Sequence, residues 1–144
     1  MEEKYQLVYR QVEALVSKES DAIANMANVA ALLHETFGWW WTGFYRVDGG
    51  TLVLGPFQGP VACTRIPFGR GVCGTAWERR ETIVVPDVEQ FPGHIACSAL
   101  SRSEIVVPIF KDDEVVGVLD IDSKELSAFD QRDAFWLEKI VALL

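Results

Sequence analysis

The run VVGVLDIDS, residues 115–123, constrains the fold more than any other part of the 144-residue chain. Side chains alternate across a strand. Val116, Val118, Asp120 and Asp122 therefore share one face, and Val115, Gly117, Leu119 and Ile121 the other. An apolar strand spends alternate positions on acids where that face leaves the core for a pocket or for solvent. The preceding run SEIVVPIF, residues 103–110, puts Glu104 on the face of Val106, Pro108 and Phe110. If the two runs form a hairpin, register decides whether the three acids meet. Meeting requires an odd loop or a bulge. A loop of Asp112, Asp113 and Glu114 would set Lys111 opposite Val115, Val106 opposite Asp120 and Glu104 opposite Asp122.

The rest of the chain supplies what such a hairpin packs against. Helical spacing over 3–16 brings Leu7, Val8, Val12, Leu15 and Val16 near one stripe. A second helix is expected from Asp21 to Phe37, with Ile23, Met26, Ala27, Ala30 and Leu33 on its apolar face. Ser20 is its expected N-cap and Gly38 suits its C-terminal end. Strand-like runs on either side of Asp48-Gly49-Gly50 read as a hairpin. The block Trp39-Trp40-Trp41 cannot all face one core, so at least one tryptophan is expected to line a cavity or an interface. VACTRIPF reads as a short strand holding Cys63, and GRGVCGTAWERR as a glycine-rich turn opening a short helix with Cys73 and Trp77. That turn lacks the phosphate-loop pattern but offers backbone N–H groups to a small carboxylate. A brief strand, TIVV, and a turn-rich loop, PDVEQFPGH, follow. A last helix starts near Asp130, a possible N-cap. The order predicts an α+β fold with a largely antiparallel sheet, helices on one face, and residues 1–144 in a single domain.

Charge narrows the function classes. The formal net charge is -8, which argues against nucleic acid and anionic membranes as partners. No apolar run approaches the roughly 20 residues of a membrane span, and the first residues lack a signal-peptide core. A cytoplasmic protein is expected. Three cysteines in that setting are reactive, metal-binding or buried more often than they form a disulfide framework.

Two chemistries are legible. Several acids held together cannot all ionise, so one acquires a raised pKa and becomes a general acid near neutral pH. An ionised neighbour can hold a cation such as a substrate ammonium. The plain alternative is that Asp120 and Asp122 end a strand at the solvent. Cys97 lies in a loop rich in Pro, Gly and Ser, where reactive side chains are often held. Cys73, on a short helix, reads as a core cysteine. A zinc site on Cys63, Cys73, His94 and Cys97 lacks the short CxxC spacing of common zinc modules.

The stretches GPFQGPVACTRIPFGRGVCGTAW, VPDVEQFPGHIACSALSRSEIVVPI and GVLDIDS closely resemble the free methionine-(R)-sulfoxide reductase family of small GAF-domain proteins. The resemblance spans nearly the whole chain, and its most specific part is the ordered set of three cysteines with SEIVVP and LDIDS. It implies a GAF fold, a central antiparallel sheet flanked by helices. It implies that Cys97 is the catalytic cysteine, Cys63 its resolving partner and Cys73 an auxiliary thiol. Glu104, Asp120 and Asp122 would bind substrate and assist proton transfer, with Trp41 and Tyr45 around its methyl-sulfur end. The substrate implied is free methionine-(R)-sulfoxide, with no cofactor and thioredoxin as the external dithiol reductant. A homodimer is consistent with the family. Two other readings remain open at this point: a GAF small-ligand sensor, and a redox switch without turnover.

Overall fold

The computed structural model describes residues 2–94 and 100–144. Four α-helices, α1 (Glu2–Val16), α2 (Ala22–Phe37), α3 (Gly71–Arg79) and α4 (Gln131–Val141), combine with six strands. These are β1 (Trp41–Asp48), β2 (Thr51–Gln58), β3 (Arg65–Pro67), β4 (Ile83–Val85), β5 (Ser103–Lys111) and β6 (Glu114–Ser123). The strands form one antiparallel sheet in the order β3-β2-β1-β6-β5-β4. This is the α+β architecture expected, with one difference. Helices cover both faces: α1, α2 and α4 on one, α3 on the other. The 3.6-residue period of α3 identifies a buried stripe but not which side of the sheet that stripe meets.

Alternation along the central strands splits the core in two. Phe44, Ile105, Val107, Ile109, Leu119 and Ile121 point toward α1, α2 and α4. Tyr45, Val106 and Val118 point the other way, toward Val72, Cys73 and Ala76 of α3. The second face also carries Glu104, Asp120 and Asp122. The acids thus lie on the side with a single short helix for cover.

The β5–β6 hairpin reaches the register that brings the acids together, by a different route from the three-residue loop. Lys111 pairs with Glu114, not Val115, so the turn is the two residues Asp112 and Asp113. Both adopt left-handed backbone (φ 51° and 66°), the conformation a tight type I′ hairpin requires. A register shift between Ile109 and Phe110, with Phe110 opposite Val115 and Ile109 opposite Gly117, leaves one extra residue on β6. That bulge restores Val106 opposite Asp120 and Glu104 opposite Asp122.

Local details also depart from the sequence expectation. Asp21, not Ser20, caps α2: its side chain accepts from Ala24 N at 2.9 Å. Gly38 closes the same helix at φ 69°, its N–H donating to the His34 carbonyl. In α1 the buried stripe is Tyr5, Val8 and Val12, while Leu7 and Leu15 are exposed. In α2 Ile23 is exposed and Val29 is buried instead. Cys63 precedes β3 rather than lying in it.

Helix α1 is tied to α4 by a buried polar contact. Asp130 caps α4, and Asp133 returns the favour by accepting from Asp130 N at 2.9 Å, a complete capping box. The second oxygen of Asp133 accepts from the Tyr5 hydroxyl across the helix interface. Removing that donor leaves a buried carboxylate oxygen without its protein partner. Tyr5→Phe is expected to lower unfolding free energy by about 1–3 kcal/mol, read from urea denaturation with an unchanged denaturant slope. A variant as stable as wild type would show that the contact holds nothing.

Candidate active site

Glu104 and Asp122 sit directly across the β5–β6 ladder, and Asp120 lies two residues along from Asp122 on the same face. Directly opposed residues bring their Cβ atoms to about 4.5–5.5 Å, so two carboxyl groups here compete for one small volume. Glu104 and Asp120 are only 5% and 7% exposed. The three acids, with Trp41, Tyr45, Cys73, His94 and Ser101, line one cavity between the sheet and the start of α3.

Burial and mutual repulsion decide their protonation. Burial, then the charges of Asp120 and Asp122, push the Glu104 carboxyl well above the usual carboxylate range. Burial and the Asp120 charge do the same to Asp122, although the Ser101 hydroxyl donates to its Oδ1 at 3.3 Å. Asp120 is also raised by burial, but hydrogen bonds from Glu104, Asp122 and Cys73 act to lower it. The physical picture is one carboxylate, Asp120, receiving hydrogen bonds from two acids that keep their protons. Asp120 Oδ1 is nevertheless buried with no hydrogen-bond partner among the described residues. Burial, with the three acids, raises the Cys73 thiol, so Cys73 rests protonated. Burial lowers the His94 pKa, with Asp120 pulling the other way. His94 Nε2 lies 3.9 Å from Glu104 Oε1. That separation is too long for a hydrogen bond, and with both groups held neutral it is not an ion pair.

The apolar wall comes from the tryptophan block, which divides between the two sides of the sheet as the chain enters β1 at Trp41. Trp39 stacks on Phe37 and packs by Phe129 on the helical face. Trp41 faces the cavity, its ring stacked at 5.2 Å on Phe57 and its Nε1 donating to the Pro60 carbonyl at 2.9 Å. Trp40 forms part of the cavity wall too, with Lys124 Nζ 5.6 Å from its ring centroid. Tyr45 continues the Trp41 wall, and its hydroxyl donates to the Cys63 carbonyl at 2.8 Å, anchoring the segment that carries that cysteine.

Two glycines make room for Trp41. A Cβ at Gly43 would meet Trp41 at 2.6 Å and Phe57 Cβ at 2.3 Å. One at Gly59 would meet Trp41 at 2.7 Å on a backbone with φ +130°. Neither was singled out in the sequence. The available signal was Gly43 between Trp41 and Tyr45 on their own strand face. Pro60 and Ser101 were missed as well, because their contributions are a carbonyl and a short hydroxyl supplied by loops.

Cys63 is disulfide-bonded, and Cys73 is a free, buried thiol. Cys97 lies outside the described residues. The first turn of α3 borders the cavity through Gly71, Val72 and Cys73, which puts the positive end of that helix at its wall. Among the described residues no helix is long and apolar enough to cross a membrane.

Comparisons with known proteins agree with this geometry. A family model described as GAF domain matches residues 21–144. GAF domain-containing protein A of Dictyostelium discoideum is 56% identical over 144 residues, covering 99% of this chain and 91% of that one. The free methionine-R-sulfoxide reductase of Escherichia coli is 48% identical over 143 residues, covering 99% and 87%. The X-ray structure of free methionine-R-sulfoxide reductase from Neisseria meningitidis in complex with its substrate superposes with a TM-score of 0.95 at 57% identity. It covers 96% of this chain and 84% of that one.

The raised acids set a pH dependence of stability. Between the ordinary carboxylate pKa and the raised folded value, the folded state holds more protons than the unfolded state. Stability therefore falls as pH rises through that window. Glu104→Gln removes the penalty at its source. Its urea midpoint is expected to exceed that of wild type at pH 8, with the gap closing toward pH 4. A variant less stable than wild type by the same margin at both pH values would contradict a protonated Glu104.

Proposed function

This chain belongs to the GAF family, among its free methionine-R-sulfoxide reductases, and we propose that it reduces free L-methionine-(R)-sulfoxide to methionine with Cys97 as nucleophile. The observation that carries the reading is the cluster of buried Glu104 and Asp120 with half-buried Asp122, in a cavity whose far wall is Trp41 and Tyr45. An amino-acid sulfoxide needs both halves of that cavity. Its methyl-sulfur end packs on the aromatic wall, and its ammonium pairs with the ionised Asp120. Its carboxylate finds donors at the first turn of α3.

A sulfoxide sulfur is a poor electrophile until its oxygen is protonated or strongly hydrogen-bonded. Glu104 and Asp122, which retain protons at neutral pH, supply that proton. The Cys97 sulfur attacks the substrate sulfur to form an S–S bond. The protonated oxygen then passes to the Cys97 sulfur as the S–S and substrate S–O bonds break, releasing methionine and leaving Cys97 as a sulfenic acid. Cys63 then attacks the sulfenic sulfur and water departs, leaving a Cys63–Cys97 disulfide. An external dithiol, thioredoxin in the proposed cycle, reduces that disulfide and becomes oxidised. In sum, one sulfoxide and one dithiol give methionine, a disulfide and water. The disulfide-bonded state of Cys63 supports its role as the resolving thiol. Cys73 is protonated and packed in the core, which supports an auxiliary part for it. The acids oppose a standing thiolate near them, so Cys97 loses its proton as substrate binds.

Enclosure accounts for selectivity. A methionine inside a polypeptide carries no free ammonium for Asp120 and brings neighbouring residues that a closed cavity excludes. The test is methionine release from each sulfoxide epimer with excess dithiothreitol. Wild type is expected to act on the R epimer and not the S epimer, and Cys97→Ser to be inactive. Cys63→Ser should retain turnover with dithiothreitol, a small thiol that can reach the sulfenic acid directly, and lose it with thioredoxin. Failure of fully reduced wild type to release methionine would overturn the reading in favour of ligand sensing.

A further inference from the structure

Cys73 of α3, Glu104 of β5 and Asp120 of β6 converge at the cavity wall. The Cys73 sulfur and one oxygen from each acid lie within 4.8 Å of one another, and all three residues are buried. A second observation is independent of that spacing. Asp120 is more than nine-tenths buried, it lines the cavity, and its Oδ1 has no hydrogen-bond partner among the described residues. A buried carboxylate oxygen left without a donor is costly, and a cation is one partner that would satisfy it.

The donor set selects the kind of cation. Cys73 and Glu104 release their protons to solvent as the ion binds, and the resulting thiolate and two carboxylates form a mixed sulfur–oxygen site, which suits zinc or cadmium. Magnesium and calcium call for about six or more oxygen ligands and gain nothing from sulfur. Zinc bonds of about 2.3 Å to sulfur and about 2.0–2.2 Å to oxygen fit this cluster after side-chain shifts on the order of an ångström. Three protein ligands leave a fourth position for a water.

We infer that Cys73, Glu104 and Asp120 form a binding site for a zinc- or cadmium-type cation, and that this ion inhibits the enzyme by occupying the acids that receive the substrate. The ion is a competitor, not a resident cofactor. Only the competition rests on the reaction proposed above; the site itself stands on the cluster.

The test uses the full chain carrying Cys63→Ser and Cys97→Ser, so that Cys73 is its only thiol. Titration with Cd2+ is followed by calorimetry and by the ultraviolet thiolate-to-cadmium charge-transfer band. The expected result is one ion per chain with the band present. Adding Cys73→Ser should abolish the band and weaken binding at least tenfold. Adding Asp120→Asn or Glu104→Gln should weaken it at least tenfold, in whichever variant retains cooperative thermal unfolding. Zn2+ should displace Cd2+, and millimolar Mg2+ or Ca2+ should not. Absence of the band, unchanged affinity on adding Cys73→Ser, or displacement by Mg2+ would overturn the site. In wild type, Zn2+ should raise the apparent KM for the sulfoxide and leave kcat unchanged. A fall in kcat at constant KM would overturn the competitive inhibition. Because the titration needs no turnover, failure of the proposed reaction would leave its result intact.

Discussion

Three carboxyl groups gathered on one face of an antiparallel sheet, two of them buried and the third half-buried, are the constraint to which the other features answer. Ionising all three would cost more than a small domain can sustain. Sharing protons resolves this: Glu104 and Asp122 hold theirs, and Asp120 accepts. The arrangement is fixed by the bulge that sets the β5–β6 register. Without it the two-residue turn would not place Glu104 opposite Asp122. The opposite face of the same strands bears the larger apolar core, with Ile105, Val107, Leu119 and Ile121 packed under three helices. One face of the hairpin stabilises the fold, and the other face is thereby free to hold acids.

The same alternation organises the aromatic wall. Trp39 lies before β1 and packs on the helical core, while Trp41, the first residue of β1, faces the cavity with Gly43 and Tyr45. Gly43 and Gly59 let the Trp41 ring lie against the sheet. The cavity is then apolar on one side and acidic on the other, a match for a small zwitterion with a thioether-like end. Chemistry follows from that polarity. In the proposed reaction a retained proton goes to the sulfoxide oxygen, and the one ionised acid is left to hold the substrate ammonium.

The fold class was legible because its strands alternate cleanly and its hairpins carry Gly or Asp at the turns. The acid cluster was legible for a related reason: Asp120 and Asp122 break an apolar pattern at matching positions. What sequence could not supply was tertiary choice. Tyr5, Leu7, Val8, Val12 and Leu15 make a broad apolar arc on α1, and packing on α2 and α4 selects Tyr5, Val8 and Val12. The face chosen by α3 has no local signal, since either side of the sheet is apolar. The Asp112-Asp113 turn reads as three residues with Glu114 because two consecutive non-glycine residues in left-handed backbone are uncommon. Ser20 and Asp21 are both good caps, and one-residue choices of this kind depend on the chain entering the helix. The cavity's loop contributors, Pro60 and Ser101, lack any periodicity to betray them.

The central claim is that the resting site stores protons on its acids at neutral pH. Infrared difference spectroscopy of wild type against Glu104→Gln and Asp122→Asn measures this directly, through the carbonyl stretch of a protonated carboxyl group. The account predicts such a band in wild type at pH 7, diminished in each variant and perturbed when methionine sulfoxide is added. A wild-type spectrum at pH 7 with carboxylate bands alone from these residues would contradict it.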